Sequence, residues 1–348
     1  MPPEAAQPGP RDAATRLDEL IIGYQVTQAL RVVAVLGIAD LLRDGERHVD
    51  DLAKQSDSDP GALYRVLRAL ASVGVFHEAP GRRFALTELG ECLRSDSAQP
   101  LAPWAAFVSS PPQWAAWGNL LHSVRTGENA FRHTHAMRVW EYRAQHPEAA
   151  ASFNAAMVGG SRRAAQDVLK AYDFSRFDSV ADVGGGHGAL LAAILAAHPH
   201  LRGTLFDQAH VVAGAGETLR AAGVAERCEV VGGSFFESVP AGIDCYALKF
   251  VIHDWEDDES VAILRTVRRA MGAPGETPRG TLLLIERVIE PPNRGMRAKF
   301  SDLNMLVSPG GRERTLDEYA ALLDTAGFRL TRVISADSEA DVIEALPV

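Results

Sequence analysis

Cysteine is scarce in this chain of 348 residues. There are three, Cys92, Cys228 and Cys245, far apart and without a CxxC spacing. That pattern excludes a disulfide framework and a cysteine zinc site, and it suits a reducing, cytoplasmic compartment. Excess positive charge is also missing. Lys and Arg number 35 against 45 Asp and Glu, for a formal net charge of −10. Proteins that live on nucleic acid usually carry a net basic balance or a dense basic stripe. No apolar run approaches the ~20 residues of a membrane span. The opening stretch, "MPPEAAQPGPRDAATR", lacks the apolar segment of a signal peptide, and residues 1–12 are expected to form a disordered tail. These absences set the expectation of no nucleic acid, no membrane and no metal.

What is present falls into two patterns. The first half reads as helical. "TRLDELIIGYQVTQALRVVAVLGIADLLRDG" spaces Leu20, Ile21, Val26, Leu30, Val33, Leu36 and Leu41 by threes and fours, enough apolar surface to need burial against more than one partner. A short helix over Val49–Gln55 follows. Asp59 then suits a cap and Pro60 a first helical position. Leu63, Val66, Leu67 and Leu70 mark the next helix, and "VFHE" and "RFALT" flank "APGR" as two short strands. Helix, turn, helix and hairpin make a winged helix over 13–100. The fold serves DNA binding, with Arg65 and Arg68 on the recognition helix, or dimerisation, which the acidic balance favours. Residues 101–165 form a helical, aromatic-rich connector, with Trp104, Phe107, Trp114, Trp117, Phe131, Trp140, Tyr142 and Phe153. Most of these read as core, and some as pocket lining for a flat ligand. His133 and His135 read as surface residues.

The last domain spans 166–348, and after about residue 175 strands alternate with helices: "SVADV", "RGTLFD", "CEVVGGSFF", "DCYALKFVI" and "GTLLLIERVI", then a hairpin from Arg329 to Val348. The pattern predicts an α/β, Rossmann-like, doubly wound and largely parallel sheet. "DVGGGHGA" turns a strand into a helix. Its glycines let the chain turn tightly and a ligand approach the backbone. Asp207, ending the next strand, is placed to accept both ribose hydroxyls of an adenosine cofactor. Two readings fit: Gly184-x-Gly186-x-x-Ala189 is a relaxed dinucleotide fingerprint, and Gly184-x-Gly186-x-Gly188 a loop for S-adenosylmethionine. On position alone, His253 in "KFVIHDWEDDES" is a polar residue at a strand end.

The ordered set "FNAAM", "DVGGGHG", "FDQ", "GGSFF", "LKFVIHDW" and "SPGGRERT" resembles the class I S-adenosylmethionine-dependent O-methyltransferases of the caffeate/hydroxyindole type, found in plants and in bacterial natural-product pathways. The resemblance runs from about Leu17 to the C-terminus. It implies S-adenosylmethionine as cofactor, held by Ser161, the turn Gly184, Gly185 and Gly186, Asp207, Gln208, Ser234, Phe235 and Lys249. It implies His253 as catalytic base, bracketed by Glu286 and Glu313. Asp254 reads either as a helix cap or as fixing the local loop or the base. Phe153, Met157, Asn304 and Ser308 would face a small aromatic hydroxylated substrate. The winged helix would make a homodimer. Ser234 departs from the family, many of whose members carry Asp there, so one carboxylate contact to the cofactor is lost. The chemistry explains the histidine. A phenol has a pKa of about 10 and imidazole about 6.5, so full proton transfer is uphill by about 5 kcal/mol. Nearby carboxylates narrow the gap by favouring the imidazolium. Other readings are a nicotinamide-dependent oxidoreductase and a winged-helix DNA-binding regulator.

Overall fold

A computed structural model describes residues 12–272, 279–335 and 340–348, without the side chains of 159–163. The chain forms two compact units, the first ending at Ser110 and the second running from Pro111 to Val348. Of the expected tail over 1–12, only Asp12 lies within the described residues. It caps the first helix, its Oδ1 accepting from the Thr15 amide at 3.0 Å.

The first unit opens with the helix Ala13–Val35. The helices Val49–Gln55 and Pro60–Ser72 follow. Asp59 caps the latter, accepting from the Ala62 amide at 2.7 Å, with Pro60 in its first turn. Strands β1 (Arg47–His48), β2 (Phe76–Ala79) and β3 (Arg83–Leu86) pair in the order β1-β3-β2, all antiparallel. Val33, Leu52, Leu63, Leu67 and Phe84 fill the core between helices and hairpin. This is the winged helix that the turn chemistry predicted. The helix Ala102–Val108 also belongs to this unit. One face of the first helix stays uncovered: Leu17, Leu20, Ile21 and Tyr24 are 54–78% exposed.

The second unit is built on a seven-stranded sheet: β4 (Ser179–Val183), β5 (Arg202–Asp207), β6 (Cys228–Gly232), β7 (Cys245–Lys249), β8 (Thr281–Glu286), β9 (Phe328–Ser335) and β10 (Asp341–Pro347). Its order is β6-β5-β4-β7-β8-β10-β9. The first five strands are parallel, and β10 runs antiparallel to both neighbours. Along β7, Cys245 and Ala247 pack into one core, and Tyr246 and Leu248 into the other. Leu283 and Ile285 of β8 join the first core, Leu282 and Leu284 the second. This two-sided burial is why these strands read as continuous apolar runs. The order reverses on either side of β4, and the carboxyl ends of β4, β5, β7 and β8 converge at that point. Crevices of such sheets open there.

Three strands are shorter than their apolar runs suggest. β6 stops at Gly232, so Ser234 and Phe235 lie beyond it, and β8 stops at Glu286. β7 stops at Lys249 rather than Ile252. Phe250 takes a left-handed backbone, φ 54°, and Ile252–Asp254 form one 3-10 turn. The amides of Val251 and Ile252 leave the ladder and donate to Glu286 Oε1, at 3.0 and 2.8 Å. A buried carboxylate thus replaces the strand partner.

No helix among the described residues is long and apolar enough to cross a membrane.

Candidate active site

His253 sits on that 3-10 turn, 6% exposed. Nδ1 is 3.0 Å from Glu313 Oε1 and 3.5 Å from Glu286 Oε2. Nε2 lies 3.6 Å from Asp254 Oδ1. Phe250 stacks against the ring, 5.4 Å between centroids at 11°. His253 and the three residues expected around it therefore meet, although 60 residues of sequence separate His253 from Glu313. Burial disfavours the imidazolium, but Glu313, Glu286 and Asp254 outweigh it and raise the His253 pKa to about 9. Burial pushes Glu286 up to about 7, against the pull of His253. Glu313 is also buried. His253, Arg287 and the Ser301 hydroxyl overcome that burial and hold Glu313 below the ordinary carboxylate range. Ser301 Oγ donates to Glu313 Oε1 at 2.6 Å, and the Glu313 amide donates to Asp302 Oδ1 at 3.0 Å.

Asp254 does not cap the following helix, Asp257–Ala270. Glu256 does, its amide donating to Glu259. Asp254 is instead drawn toward the site, its pKa raised by burial against the opposing charges of His253 and Arg143.

Two residues not singled out from the sequence hold the turn. Arg314 is 1% exposed. Its Nη1 donates to the Ile252 carbonyl at 3.2 Å and its Nη2 to the Trp255 carbonyl at 2.9 Å, on either side of His253. Nε and Nη2 also grip Asp257 Oδ1, at 3.0 and 2.7 Å. Gly311 packs against the turn so closely that a Cβ there would stand 2.1 Å from the His253 carbonyl oxygen. The glycine pair in "SPGGRERT" was a signal for such an approach, but nothing local named its partner.

The glycine turn sits at the end of β4. Gly184, φ 73°, has no room for a side chain: a Cβ would meet Val251 Cγ2 at 2.7 Å. Gly186, φ 60°, faces open space, as a backbone must where a ligand is to approach it. Gly185 packs on Asp182 and Leu205. Asp207 Oδ2 accepts from the Gly186 amide at 2.9 Å, and Oδ1 from the Gln208 amide at 2.7 Å. The carboxylate keeps lone pairs for further donors. Asp182, buried beneath the turn, closes no hydrogen bond among the described residues, although the Leu191 amide dipole favours its ionised form. Burial raises its pKa to about 6 against the attraction of Lys249. Lys249 is in turn lowered by burial, with Asp182 and Glu286 opposing. Ser234 Oγ accepts from the Phe236 amide at 3.3 Å, and Phe235 packs edge-on against Trp255. Ser161 lies on the helix Pro147–Ala171, its side chain outside the described residues.

Of the residues expected to face the acceptor, Phe153 and Met157 lie on that same helix, half-buried. Phe153 meets Trp140 edge-on at 5.8 Å and carries the Arg143 guanidinium over its face at 3.5 Å. Arg143 is another residue the sequence did not mark. Burial pushes its pKa down to about 10, with Asp254 opposing. Asn304 is half-buried on the helix Met296–Val307, and Ser308 is buried at its end. Ser308 Oγ has no hydrogen-bond partner among the described residues.

Residues 117–329 match the O-methyltransferase domain, and residues 18–96 the O-methyltransferase dimerisation domain. This chain belongs to the O-methyltransferase family. It is 44% identical over 330 residues to the phenazine O-methyltransferase PhzM of Lysobacter antibioticus, covering 95% of each chain. The crystal structure of LaPhzM superposes with a TM-score of 0.92 at 43% identity, over 97% of this chain and 100% of that one. Human N-acetylserotonin methyltransferase, solved in complex with S-adenosylmethionine, superposes with a TM-score of 0.88 at 26% identity, over 98% and 99% of the two chains. The O-methyltransferase is therefore an S-adenosylmethionine-dependent enzyme of the caffeate/hydroxyindole type, in its bacterial natural-product branch, with a Rossmann-like sheet and a helical dimerisation domain.

Gly311→Ala tests how tightly the turn is held. The added methyl meets backbone rather than a flexible side chain, so a loss of about 1–3 kcal/mol in denaturant unfolding is expected. The His253 turn, where the clash falls, is displaced, and turnover falls with it.

Proposed function

We propose that the enzyme methylates a hydroxyl group of a small aromatic acceptor, with His253 as general base. The observation that carries this reading is the pairing of His253 Nδ1 with Glu313 Oε1 at 3.0 Å inside a buried cluster. That contact fixes the proton on Nδ1 and leaves Nε2 to take a proton. The open backbone at Gly186, the Asp207 carboxylate and the unsatisfied Asp182 beside Lys249 fit an adenosine cofactor with a charged amino-acid end. Gly184, Gly185, Gly186, Asp207, Gln208, Ser234, Phe235 and Lys249 would hold S-adenosylmethionine, with Ser161 on the adjoining helix. When bound, the cofactor supplies an electrophilic sulfonium methyl group.

The protein's own part is to ready the acceptor. His253 Nε2 draws the hydroxyl proton, and Glu313 and Glu286 stabilise the imidazolium that results. Arg314 and Gly311 keep the turn from yielding as charge moves. Phe153, Met157, Asn304 and Ser308 orient the ring and exclude water, and the aromatic side chains suit a flat acceptor. The relatives' names, phenazine and N-acetylserotonin, point to ring systems of that kind. Such chemistry fits secondary metabolism in the cytoplasm.

Calorimetric titration with S-adenosylmethionine, S-adenosylhomocysteine and NADH, followed by turnover with aromatic hydroxyl compounds, tests the reading. Binding of the first two without NADH, and methyl transfer to an aromatic oxygen, are the expected results. NADH binding alone would favour an oxidoreductase. Salt-sensitive duplex DNA binding would favour a regulator.

His253→Ala is expected to fold, to bind cofactor, and to lose at least about a hundredfold in turnover. Near wild-type turnover would sink the general-base role.

The pH profile gives a signed test. An imidazole accepts a proton only when neutral, so a pKa raised to about 9 makes turnover climb with pH toward that value. Glu313→Gln removes a carboxylate that holds the proton on. The imidazole pKa then falls, and the rising limb moves to lower pH by about one unit or more, while maximal turnover drops. An unmoved limb would show that another group controls it.

The dimerisation domain supports a homodimer, with Leu17, Leu20, Ile21 and Tyr24 as the apolar stripe awaiting cover. Light scattering should give twice the chain mass, and Leu20→Asp combined with Ile21→Asp the mass of one chain.

A further inference from the structure

His133 and His135, adjacent on the helix Ala130–His135, do different things. His135 Nε2 meets the Pro112 carbonyl oxygen at 3.1 Å and packs against Phe131 and Tyr142. His133 stacks instead on His122, from the preceding helix Leu120–Thr126, with centroids 3.6 Å apart at 14°. His122 Nε2 is 2.8 Å from Glu128 Oε2, in the turn between the two helices. Two imidazoles and a carboxylate thus bring one ligand atom each within 4.8 Å of one another. His133 and Glu128 are exposed and His122 is half-buried, so an ion can enter without unfolding the chain.

We infer that His122, Glu128 and His133 form a surface site for a divalent first-row transition ion such as Zn²⁺. The donor set is chemically suited. Imidazole and carboxylate select such ions, and three protein ligands leave a position for water. The stacked rings hold their lone pairs parallel, so the exposed His133 must swing out of the stack for both imidazoles to face one ion. At bond lengths of about 2.1 Å, tetrahedral ligand atoms stand about 3.4 Å apart. The His122–Glu128 separation must open slightly, and the widest separation must close by about 1.4 Å at most, which exposed side chains accommodate.

The turn is already shaped. Gly127 takes φ 75°, and the Glu128 amide donates to Thr126 Oγ1 at 3.1 Å, which directs the carboxylate back over the first helix. Asn129 comes next. Its Nδ2 donates to the Leu306 and Ser308 carbonyls at 2.8 and 3.3 Å, bracing the end of the helix that carries Asn304. An ion at this site fastens the two helices across that brace and raises the stability of the unit that carries the active site.

The test uses the full-length, untagged, chelator-treated protein, titrated with ZnCl₂ by calorimetry and with CoCl₂ by visible absorption. The wild type is expected to bind an equivalent that the double variant His122→Ala, His133→Ala does not. Glu128→Gln should weaken that binding about tenfold or more, and zinc should raise the melting temperature of the wild type alone. His133→Gln is a milder second variant should the double variant unfold. Identical titrations of wild type and variants would overturn the site and assign the ion to the buried His253, Glu286 and Glu313 group. No binding by the wild type up to about 1 mM would also overturn it. The second failure leaves the reading of methyl transfer untouched, and the His253→Ala turnover assay decides that reading separately.

Discussion

A buried imidazole among three carboxylates is an electrostatic problem before it is a catalytic device. Each charge taken from water costs several kcal/mol unless a partner restores it. Here the restoration is distributed. Glu313 keeps a negative charge because His253, Arg287 and Ser301 face it. Glu286 turns one oxygen to two backbone amides and leaves the other toward the imidazole. Asp254, beside Nε2, is opposed by Arg143 from the helical side of the unit. Positive charge at His253 favours the ionised forms of Glu286 and Asp254, and their negative charge favours the imidazolium in turn.

That electrostatic demand shapes the backbone around it. β7 would continue through Phe250, Val251 and Ile252 on apolar character alone. It ends because Glu286, flush with the end of the neighbouring strand, supplies a buried acceptor for the next two amides. Phe250 pays for the change of direction with a left-handed backbone, and its ring covers the imidazole. Arg314 then closes the turn from below, taking carbonyls on both sides of His253. A strand end, a strained residue and a buried arginine are three consequences of one requirement. Glycine turn and base lie along the same end of the sheet for a separate reason. All the strands that carry them are parallel, so their carboxyl ends share one edge.

Much of the fold was legible in the sequence because its causes are local or periodic. Asp59 and Pro60 mark a helix start by capping chemistry, and the structure caps that helix as expected. The alternation of strand and helix after residue 175 forces a doubly wound sheet whatever the loops do. The glycines at 184, 186 and 188 announce left-handed backbone, and all three adopt it. His253, Glu286 and Glu313 were nameable together only through their resemblance to a family. No spacing rule joins positions so far apart.

Other features had no local signature. The extent of β7, β6 and β8 depended on what their neighbours offered, since an apolar run reports burial and not where pairing stops. Asp254 read as a helix cap or a fixer of the base. Only the folded chain shows Glu256 taking the cap and Asp254 turning to the imidazole. Arg314, Gly311, Ser301 and Arg143 gain their roles from residues 12 to 111 positions away. The stacking of His133 on His122 rather than beside His135 follows from the turn at Gly127. The sequence by itself determined the two architectures and the glycine turn, because short-range sterics and periodicity encode them, whereas the candidate reactive groups came together only through the family resemblance. Tertiary structure alone decided which charges face one another and where each strand ends, because those depend on distances that a linear chain does not contain.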